Sequence, residues 1–124
     1  MITVNSDTKT FLLPTNKGML VLRTENIIRI QAISNYSKIY FSSAPGGGRE
    51  GVGTTLVVAK LLKWFEHKLP FHQFIRIHNA HIINRIYVQQ YCKGSSGILL
   101  NNNELIAVSR RKKKNLVSYY NELP

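Results

Sequence analysis

The stretch that decides the fold is Phe74-Ile75-Arg76-Ile77-His78-Asn79, in which apolar and polar side chains alternate. A period of two predicts a β-strand, because successive side chains of a strand point to opposite faces of a sheet. Ile75 and Ile77 then lie on a buried face. Arg76 and His78 lie on the other face, about 6.6 Å apart. Two interpretations of that face are open. It is an ordinary solvated surface, or, as we favour, it presents Arg76 and His78 as hydrogen-bond donors to adjacent phosphates of a nucleic-acid backbone.

Further along the chain, Val108-Ser109-Arg110-Arg111-Lys112-Lys113-Lys114 places five consecutive positive charges behind a serine. Ser109 is typical of a helix N-cap, and apolar residues follow at helical spacing, which predicts a helix from Arg110 to about Asn121. Cations in a first turn oppose the helix dipole, at a cost of roughly 0.3–1 kcal/mol each when exposed. A polyanion would relieve this cost, because helix-start N–H groups and clustered cationic side chains all favour phosphate.

The rest of the chain is typical of a mainly β domain with a few helices, an α+β fold. Short runs rich in Ile, Val, Tyr and Phe recur between Gly, Asn, Ser and Pro, which is the pattern of successive strands. Strands are predicted at residues 11–14, 19–23, 27–32, 38–43, 74–78, 87–92, 98–101 and 104–108. Asn101-Asn102-Asn103 predicts a hairpin turn between the last two, because Asn tolerates positive φ.

One amphipathic mid-chain helix is predicted across residues 55–69. Its apolar stripe consists of Val58, Leu61, Leu62, Phe65 and Leu69. Pro70 prevents the helix from continuing. Residues 1–10 are predicted to be a short polar lead-in to a single domain that spans residues 11–124. The glycine-rich segment 44–51 lacks the Lys-Ser/Thr pair of a nucleotide-binding loop, so we interpret it as a hairpin connection.

The charge balance points to a polyanionic partner. Seventeen Lys and Arg residues against six Asp and Glu residues give a formal net charge of +11, which favours nucleic acid or an anionic membrane surface. No apolar run approaches the roughly 20 residues of a spanning helix. Residues 1–7 lack the basic start and the apolar stretch of a signal peptide. We therefore predict a cytoplasmic protein of one domain with no membrane partner.

The sequence offers little support for a metal or catalytic site. The four histidines are His67, His72, His78 and His81, and no nearby carboxylate completes a ligand set. The single cysteine, Cys92, forms neither an intramolecular disulfide nor a cysteine-rich zinc site. No Ser or Cys has an activating context, and no two acidic residues form a close pair. We expect no cofactor, no metal and no enzymatic activity.

Four motifs follow one another along the chain in a characteristic order. They are Ile30-Gln31-Ala32 running into Asn35-Tyr36-Ser37-Lys38-Ile39, then Thr55-Leu56, then residues 74–84, and then Ile106-Ala107-Val108-Ser109-Arg110-Arg111. Together they resemble the LytTR DNA-binding domain of bacterial transcription regulators over roughly residues 11–120. The resemblance implies an elongated, mainly β fold of several small sheets, in which loops rather than a recognition helix enter successive major grooves, unlike helix-in-groove docking.

The resemblance assigns DNA contacts to three segments. Carried over position by position, the contacting residues are Asn35, Tyr36, Ser37, Lys38, His78, Asn79 and Arg110 with its neighbours Arg111, Lys112 and Lys113. Arg76 joins them as the phosphate donor inferred from strand alternation. The first and last segments are expected to supply most base contacts, with Arg110 the best candidate because a guanidinium pairs bidentately with guanine O6 and N7.

Three positions depart from the family pattern. Gln31 stands where Glu is common, Ala80 where Ser is usual, and His81 where Tyr or Phe is usual. Ala80 thereby lacks a hydroxyl that could cap a turn or contact DNA. Many LytTR proteins also carry an N-terminal receiver domain, for which a chain of 124 residues has no room.

The leading hypothesis is a sequence-specific regulator that binds double-stranded DNA. The free protein is expected to be a monomer, and the resemblance implies that two copies dock head-to-tail on direct repeats. A basic module for RNA or single-stranded nucleic acid is the alternative, but it needs exposed aromatic side chains among the charges. An enzyme acting on a phosphorylated substrate is a third possibility, for which no base or metal cluster is visible in the sequence.

Overall fold

The computed structural model of the protein describes residues 10–42, 55–92 and 97–121. Within these ranges the strands are β1 (Thr10–Thr15), β2 (Gly18–Arg23), β3 (Ile27–Ile33), β4 (Tyr36–Phe41), β5 (Thr55–Val58), β6 (Phe74–His78), β7 (His81–Asn84), β8 (Val88–Cys92), β9 (Gly97–Leu100) and β10 (Leu105–Ala107). The helices are α1 (Leu62–Lys68) and α2 (Arg110–Asn121). Most of the predicted lead-in and the glycine-rich segment 44–51 lie outside the described residues.

A five-stranded antiparallel sheet in the order β5-β4-β3-β7-β6 forms the central layer. The β1–β2 hairpin and α1 cover one face, where the buried side chains include Leu13, Ile30, Ile39, Phe65 and Ile82. The three-stranded sheet β10-β9-β8 and α2 cover the other face, where they include Ile77, Ile83, Ile98, Leu100 and Leu116. The prediction of a mainly β fold with a few helices is confirmed.

The predicted helix across residues 55–69 is wrong in its first part. Thr55–Val58 forms β5, which pairs with β4 through Lys38↔Val57 and Ile39↔Leu56. Three of its four residues are β-branched, which weakens helix propensity and favours a pleated sheet. α1 begins only at Leu62, and Leu62, Phe65 and Leu69 are buried as expected, whereas Leu61 is exposed.

Strand β7 was not among the predicted strands, although it lies inside the central sheet between β3 and β6. Ile82 packs on one face of the sheet and Ile83 on the other, so no alternation of apolar and polar residues marks it. Asn84 ends the strand fully buried, and its Nδ2 donates to the carbonyls of Thr24 (3.1 Å) and Ile27 (2.8 Å). Asn84, a residue type common in turns, therefore lies buried here and joins the end of β7 to the backbone of residues 24 and 27.

Two local predictions are confirmed by the backbone. Residues Phe74–His78 form β6 with the predicted bounds, and Ile75 and Ile77 are buried. Asn103 adopts φ 70° in the turn between β9 and β10, which pair as a hairpin. The other predicted strands differ from the observed ones by at most two residues at either end.

Candidate nucleic-acid interface

The three segments to which sequence assigned DNA contacts converge at one end of the central sheet. The Ala32 N–H donates to the Ala80 carbonyl at 2.9 Å, which places the end of β3 beside the β6–β7 turn. The Ser109 N–H donates to the Ile77 carbonyl at 2.9 Å, which places the start of α2 beside the end of β6. Segments far apart in sequence therefore form one surface, which we call the contact end: residues 34–38, 76–80 and 109–113.

The first segment is a tight turn followed by strand β4. Strand β4 begins at Tyr36, so the turn itself consists of Ser34 and Asn35, with Ser34 at φ 55°. Positive φ is uncommon for a residue other than glycine. The Ser34-Asn35 pair between two apolar runs is the signal for this turn, and the predicted strand at residues 38–43 starts two residues later than β4.

Side chains of this first segment divide into exposed and engaged groups. Asn35 is exposed and Tyr36 is 50% exposed. The Lys38 ammonium lies 5.2 Å from the centroid of the Tyr40 ring. Ser37, in contrast, is fully buried, and its hydroxyl donates to the Lys60 carbonyl at 2.6 Å. The groups available for a ligand are therefore on Asn35, Tyr36 and Lys38, while Ser37 joins β4 to the segment that precedes α1.

In the second segment, Arg76 holds the β6–β7 turn through hydrogen bonds to its backbone. Its Nε donates to the His78 carbonyl at 3.2 Å and its Nη2 to the Asn79 carbonyl at 2.7 Å. Its Nη1 forms a 3.0 Å ion pair with Glu66 of α1. Because each guanidinium nitrogen has a protein partner, Arg76 ties the turn to α1. Asn79 is exposed at the tip of this turn.

The backbone of the same turn fixes the His78 ring. The Ala80 N–H donates to Nδ1 of His78 at 3.1 Å, so the proton of the neutral ring resides on Nε2. Nε2 is then a donor, as contact with a phosphate or a base acceptor requires. The His81 ring lies 5.3 Å from the His78 ring, and its buried Nδ1 has no hydrogen-bond partner among the described residues. Burial, aided by His78 and Arg29, lowers the pKa of His81 to about 4, which keeps that ring neutral at pH 7.

The third segment is the first turn of α2, and its predicted N-cap is confirmed. The Lys112 N–H donates to the Ser109 hydroxyl at 3.1 Å. Arg110, Arg111 and Lys113 are exposed and Lys112 is partly buried, with no acidic residue in this turn. None of these four cations forms an ion pair within the described ranges. The first turn therefore carries charge that the described part of its surroundings leaves uncompensated.

A partly buried ion pair joins two elements of the domain, and the sequence did not reveal it. The Arg29 guanidinium donates to both carboxylate oxygens of Glu104 at 3.0 and 2.9 Å, and it stacks 3.7 Å from the centroid of the Tyr40 ring. Burial alone lowers the pKa of Arg29, yet the hydrogen bonds and charge of Glu104 outweigh it, so that the pKa is raised. In turn, the hydrogen bonds from Arg29 lower the pKa of Glu104. This pair joins β3 to the β9–β10 turn.

Gln31, one of the positions expected to depart from the family pattern, takes part in the same network. Gln31 Oε1 accepts a 2.7 Å hydrogen bond from the Tyr40 hydroxyl and a 3.5 Å contact from Arg29. The departures at Gln31 and His81 face each other across the register of β3 and β7. They therefore lie beside the contact end rather than at its exposed tips.

The comparisons agree with the fold and the charge, which together define a basic, β-rich domain for binding a polyanion. The chain belongs to the LytTr DNA-binding domain family, whose model matches residues 17–121. A solved structure with a similar fold is the LytTr DNA-binding domain of a protein described as a methyl-accepting/DNA response regulator from Bacillus cereus. It is 19% identical, with a TM-score of 0.67, over 90% of this chain and 96% of that chain. No curated protein matches the chain.

Family membership settles the function at a coarse level. The protein is a DNA-binding domain of the kind used in transcription regulation, and the family is not a family of enzymes. Within the described ranges, no helix is both long and apolar enough to cross a membrane.

Proposed function

We propose that the protein is a sequence-specific transcription regulator that contacts the major grooves of duplex DNA through the contact end. The observation that carries this proposal is the convergence of two turns and a helix start at one end of one sheet. All three bear donors that have no partner among the described residues. Competition between duplex DNA, single-stranded DNA and RNA in one titration tests it, with duplex expected to bind most tightly. In a bacterium such a regulator works in the cytoplasm, where the chromosome lies.

Within this proposal the residues divide between base and phosphate contacts. Arg110, Asn35 and Asn79 are exposed at the tips of the three segments, and their side chains suit hydrogen bonds to base edges. The phosphate contacts fall to the remaining donors, which are Tyr36, Lys38, His78 Nε2, Arg111, Lys112 and Lys113. Ser37 and Arg76, whose polar atoms already have partners, position the turns.

Single-stranded nucleic acid is less well supported as the ligand. Its binding proteins stack successive bases on exposed aromatic side chains within a basic groove. In the described contact end, Tyr36 is the one exposed Phe, Tyr or Trp side chain. Tight binding of RNA or a single strand in the competition titration, with weak duplex binding, would replace the duplex proposal.

Arg110 is expected to determine sequence preference. Arg110→Ala should cost about 1–3 kcal/mol on the preferred site and much less on random duplexes, because bidentate base pairing is lost. Binding isotherms on both duplexes measure this, after selection of the preferred site from a random pool. Arg23→Ala is the matched control, since Arg23 is an exposed arginine of β2 outside the contact end. Equal weakening on both duplexes would show that Arg110 contacts phosphate instead.

Arg76 is expected to act through the turn that it holds. Arg76→Ala should weaken binding to all duplexes alike, by about 0.5–1.5 kcal/mol, because the turn must then be ordered on binding. The salt dependence of binding separates this role from a direct contact. Loss of a positioning residue leaves the slope of log K against log salt concentration unchanged, whereas loss of a phosphate contact reduces the magnitude of that slope by about 0.9. Arg85→Ala is the control, since Arg85 also donates to a backbone carbonyl, that of His72, but lies outside the contact end.

The free protein is expected to be a monomer that pairs head-to-tail on direct repeats. In the described residues the apolar side chains of α1 and the start of α2 pack into the two clusters of the domain itself, so the structure does not require a dimer. Sedimentation should show one protein molecule per particle for the protein alone and for its complex with a one-repeat duplex. The complex with a two-repeat duplex should contain two protein molecules. A stable dimer without DNA, or a need for a palindromic site, would contradict this arrangement.

A further inference from the structure

An exposed isoleucine adjoins the hydrogen-bonding side chains of the contact end. Ile33 is the last residue of β3 and directly precedes the Ser34-Asn35 turn. It is 42% exposed, and Tyr36, its partner across β3 and β4, is 50% exposed. Residues directly opposite each other in an antiparallel pair point to the same face of the sheet. Ile33 and the Tyr36 ring therefore form a small apolar patch beside the turn.

The neighbours of this patch place it within the proposed DNA surface. The Ala32 N–H donates to the Ala80 carbonyl at 2.9 Å. Ile33, the next residue along β3, therefore lies beside Asn79, because antiparallel chains advance in opposite directions. Asn35 follows two residues later, in the turn itself, and both asparagines are exposed. An apolar side chain is thus flanked by two amides that can donate to and accept from base edges.

Strand propensity alone is the ordinary explanation of Ile33. A β-branched residue favours a strand, and single apolar residues are common at protein surfaces. This surface, however, is the one that loses its water when DNA binds under the proposed function. An isoleucine makes no hydrogen bond to a phosphate or to a polar base edge, and polar groups buried against it without partners would weaken binding. The ligand is therefore expected to present an apolar group at this position.

In the major groove of DNA, that apolar group is the 5-methyl group of thymine. An A·T pair presents adenine N6 and N7, which pair bidentately with an asparagine amide, in the same groove as the thymine methyl group. An isoleucine between two asparagines matches this combination. We propose that Ile33 is a specificity-determining residue that contacts the methyl group of a thymine in the operator. This inference rests on the proposed function.

Deoxyuridine tests the contact, because it lacks only the 5-methyl group of thymidine and pairs with adenine in the same way. Each thymine of the preferred duplex, selected beforehand from a random pool, is replaced in turn. At one position or more the wild-type protein should lose about fourfold in affinity, the value for one buried methyl group. There Ile33→Ala should bind the thymine and uracil duplexes equally, with an affinity close to that of the wild type for uracil. Ile33→Val, which keeps the β-branched shape, should show a difference smaller than that of the wild type.

Ile86→Ala is the matched control. Ile86 is an isoleucine of similar exposure, 49%, in the short helical turn between β7 and β8, outside the contact end. This variant should keep the fourfold difference. Equal binding of the wild type to every thymine and uracil duplex, or an undiminished difference in Ile33→Ala, overturns the inference and leaves the proposed function in place. A protein that prefers no duplex in the selection overturns the proposed function, and the inference with it.

Discussion

Raising the salt concentration from 50 to 200 mM should weaken duplex binding by about 150-fold, if the four cations assigned to phosphates all meet them. The four are Lys38, Arg111, Lys112 and Lys113. Each contact releases condensed counterions and contributes about −0.9 to the slope of log K against log salt concentration, so the expected slope is about −3.6. If Arg110 contacts a phosphate as well as a base, the slope steepens to about −4.5, which corresponds to about 500-fold. Binding isotherms at four or more salt concentrations measure it.

Single substitutions test whether this salt dependence arises from cations of the contact end. Lys113→Ala should reduce the magnitude of the slope by about 0.9. Lys63→Ala removes the same charge from the exposed side of α1 and should leave the slope unchanged. A slope near zero would contradict phosphate binding altogether, and equal effects of the two substitutions would indicate diffuse attraction by the net charge of +11.

Glu104→Ala should destabilise the fold by about 2–3 kcal/mol. Removing one partner of a buried ion pair costs roughly 3–5 kcal/mol because the other charge stays buried, and solvent beside Glu104 reduces this figure. The side chain of Arg29 is only 8% exposed, against 36% for Glu104. Denaturant unfolding measures the loss. Glu25→Ala is the matched control, since Glu25 is also near an arginine, Arg23 at 3.9 Å, but both are exposed.

The double variant Arg29→Met/Glu104→Ala should recover part of the stability, because no unpaired charge then remains buried. The pH dependence gives an independent check. Since the pKa of Glu104 is lowered in the fold, the ion pair contributes fully above pH 4.5, the ordinary pKa of a glutamate, and its contribution is lost as the pH falls through the lowered value. The difference between wild type and Glu104→Ala should therefore shrink in acid. A difference independent of pH, or a loss no larger than that of Glu25→Ala, would contradict this account.

Much of the fold was predictable because its signals are local. Alternation located β6 with its buried Ile75 and Ile77, and the serine before five cations located the N-cap of α2. The ordered motifs predicted the family over most of the chain, and the match to residues 17–121 confirms it. Strand β7 was not predicted, because a central strand that is buried on both faces shows no alternation of apolar and polar residues. Strand β5 was not predicted, because its apolar residues continue the apolar stripe of α1 and the whole segment was interpreted as one helix.

The sequence could nominate residues for the candidate site but could not indicate how they are arranged. Nothing in the sequence pairs Arg76 with Glu66, or Arg29 with Glu104, since these partners are joined only by the tertiary fold. For the same reason Ser37 and Arg76 were expected to contact DNA, whereas the fold gives their polar atoms partners inside the protein. A sequence shows which side chains can donate hydrogen bonds, but it does not show which of these donors already have a partner in the fold.

The placement of the contact end, beyond the two apolar clusters, has a consequence for how such proteins diverge. Asn35, Asn79 and Arg110 are exposed, and none of them belongs to either cluster. Exchanging these three residues should therefore alter target choice with little loss of stability, since exposed substitutions away from special features usually cost less than about 0.5 kcal/mol. A library randomised at these positions should remain folded in most of its members and yield variants with new operators. Under the proposed function, target preference should change in a few substitutions while the scaffold stays the same.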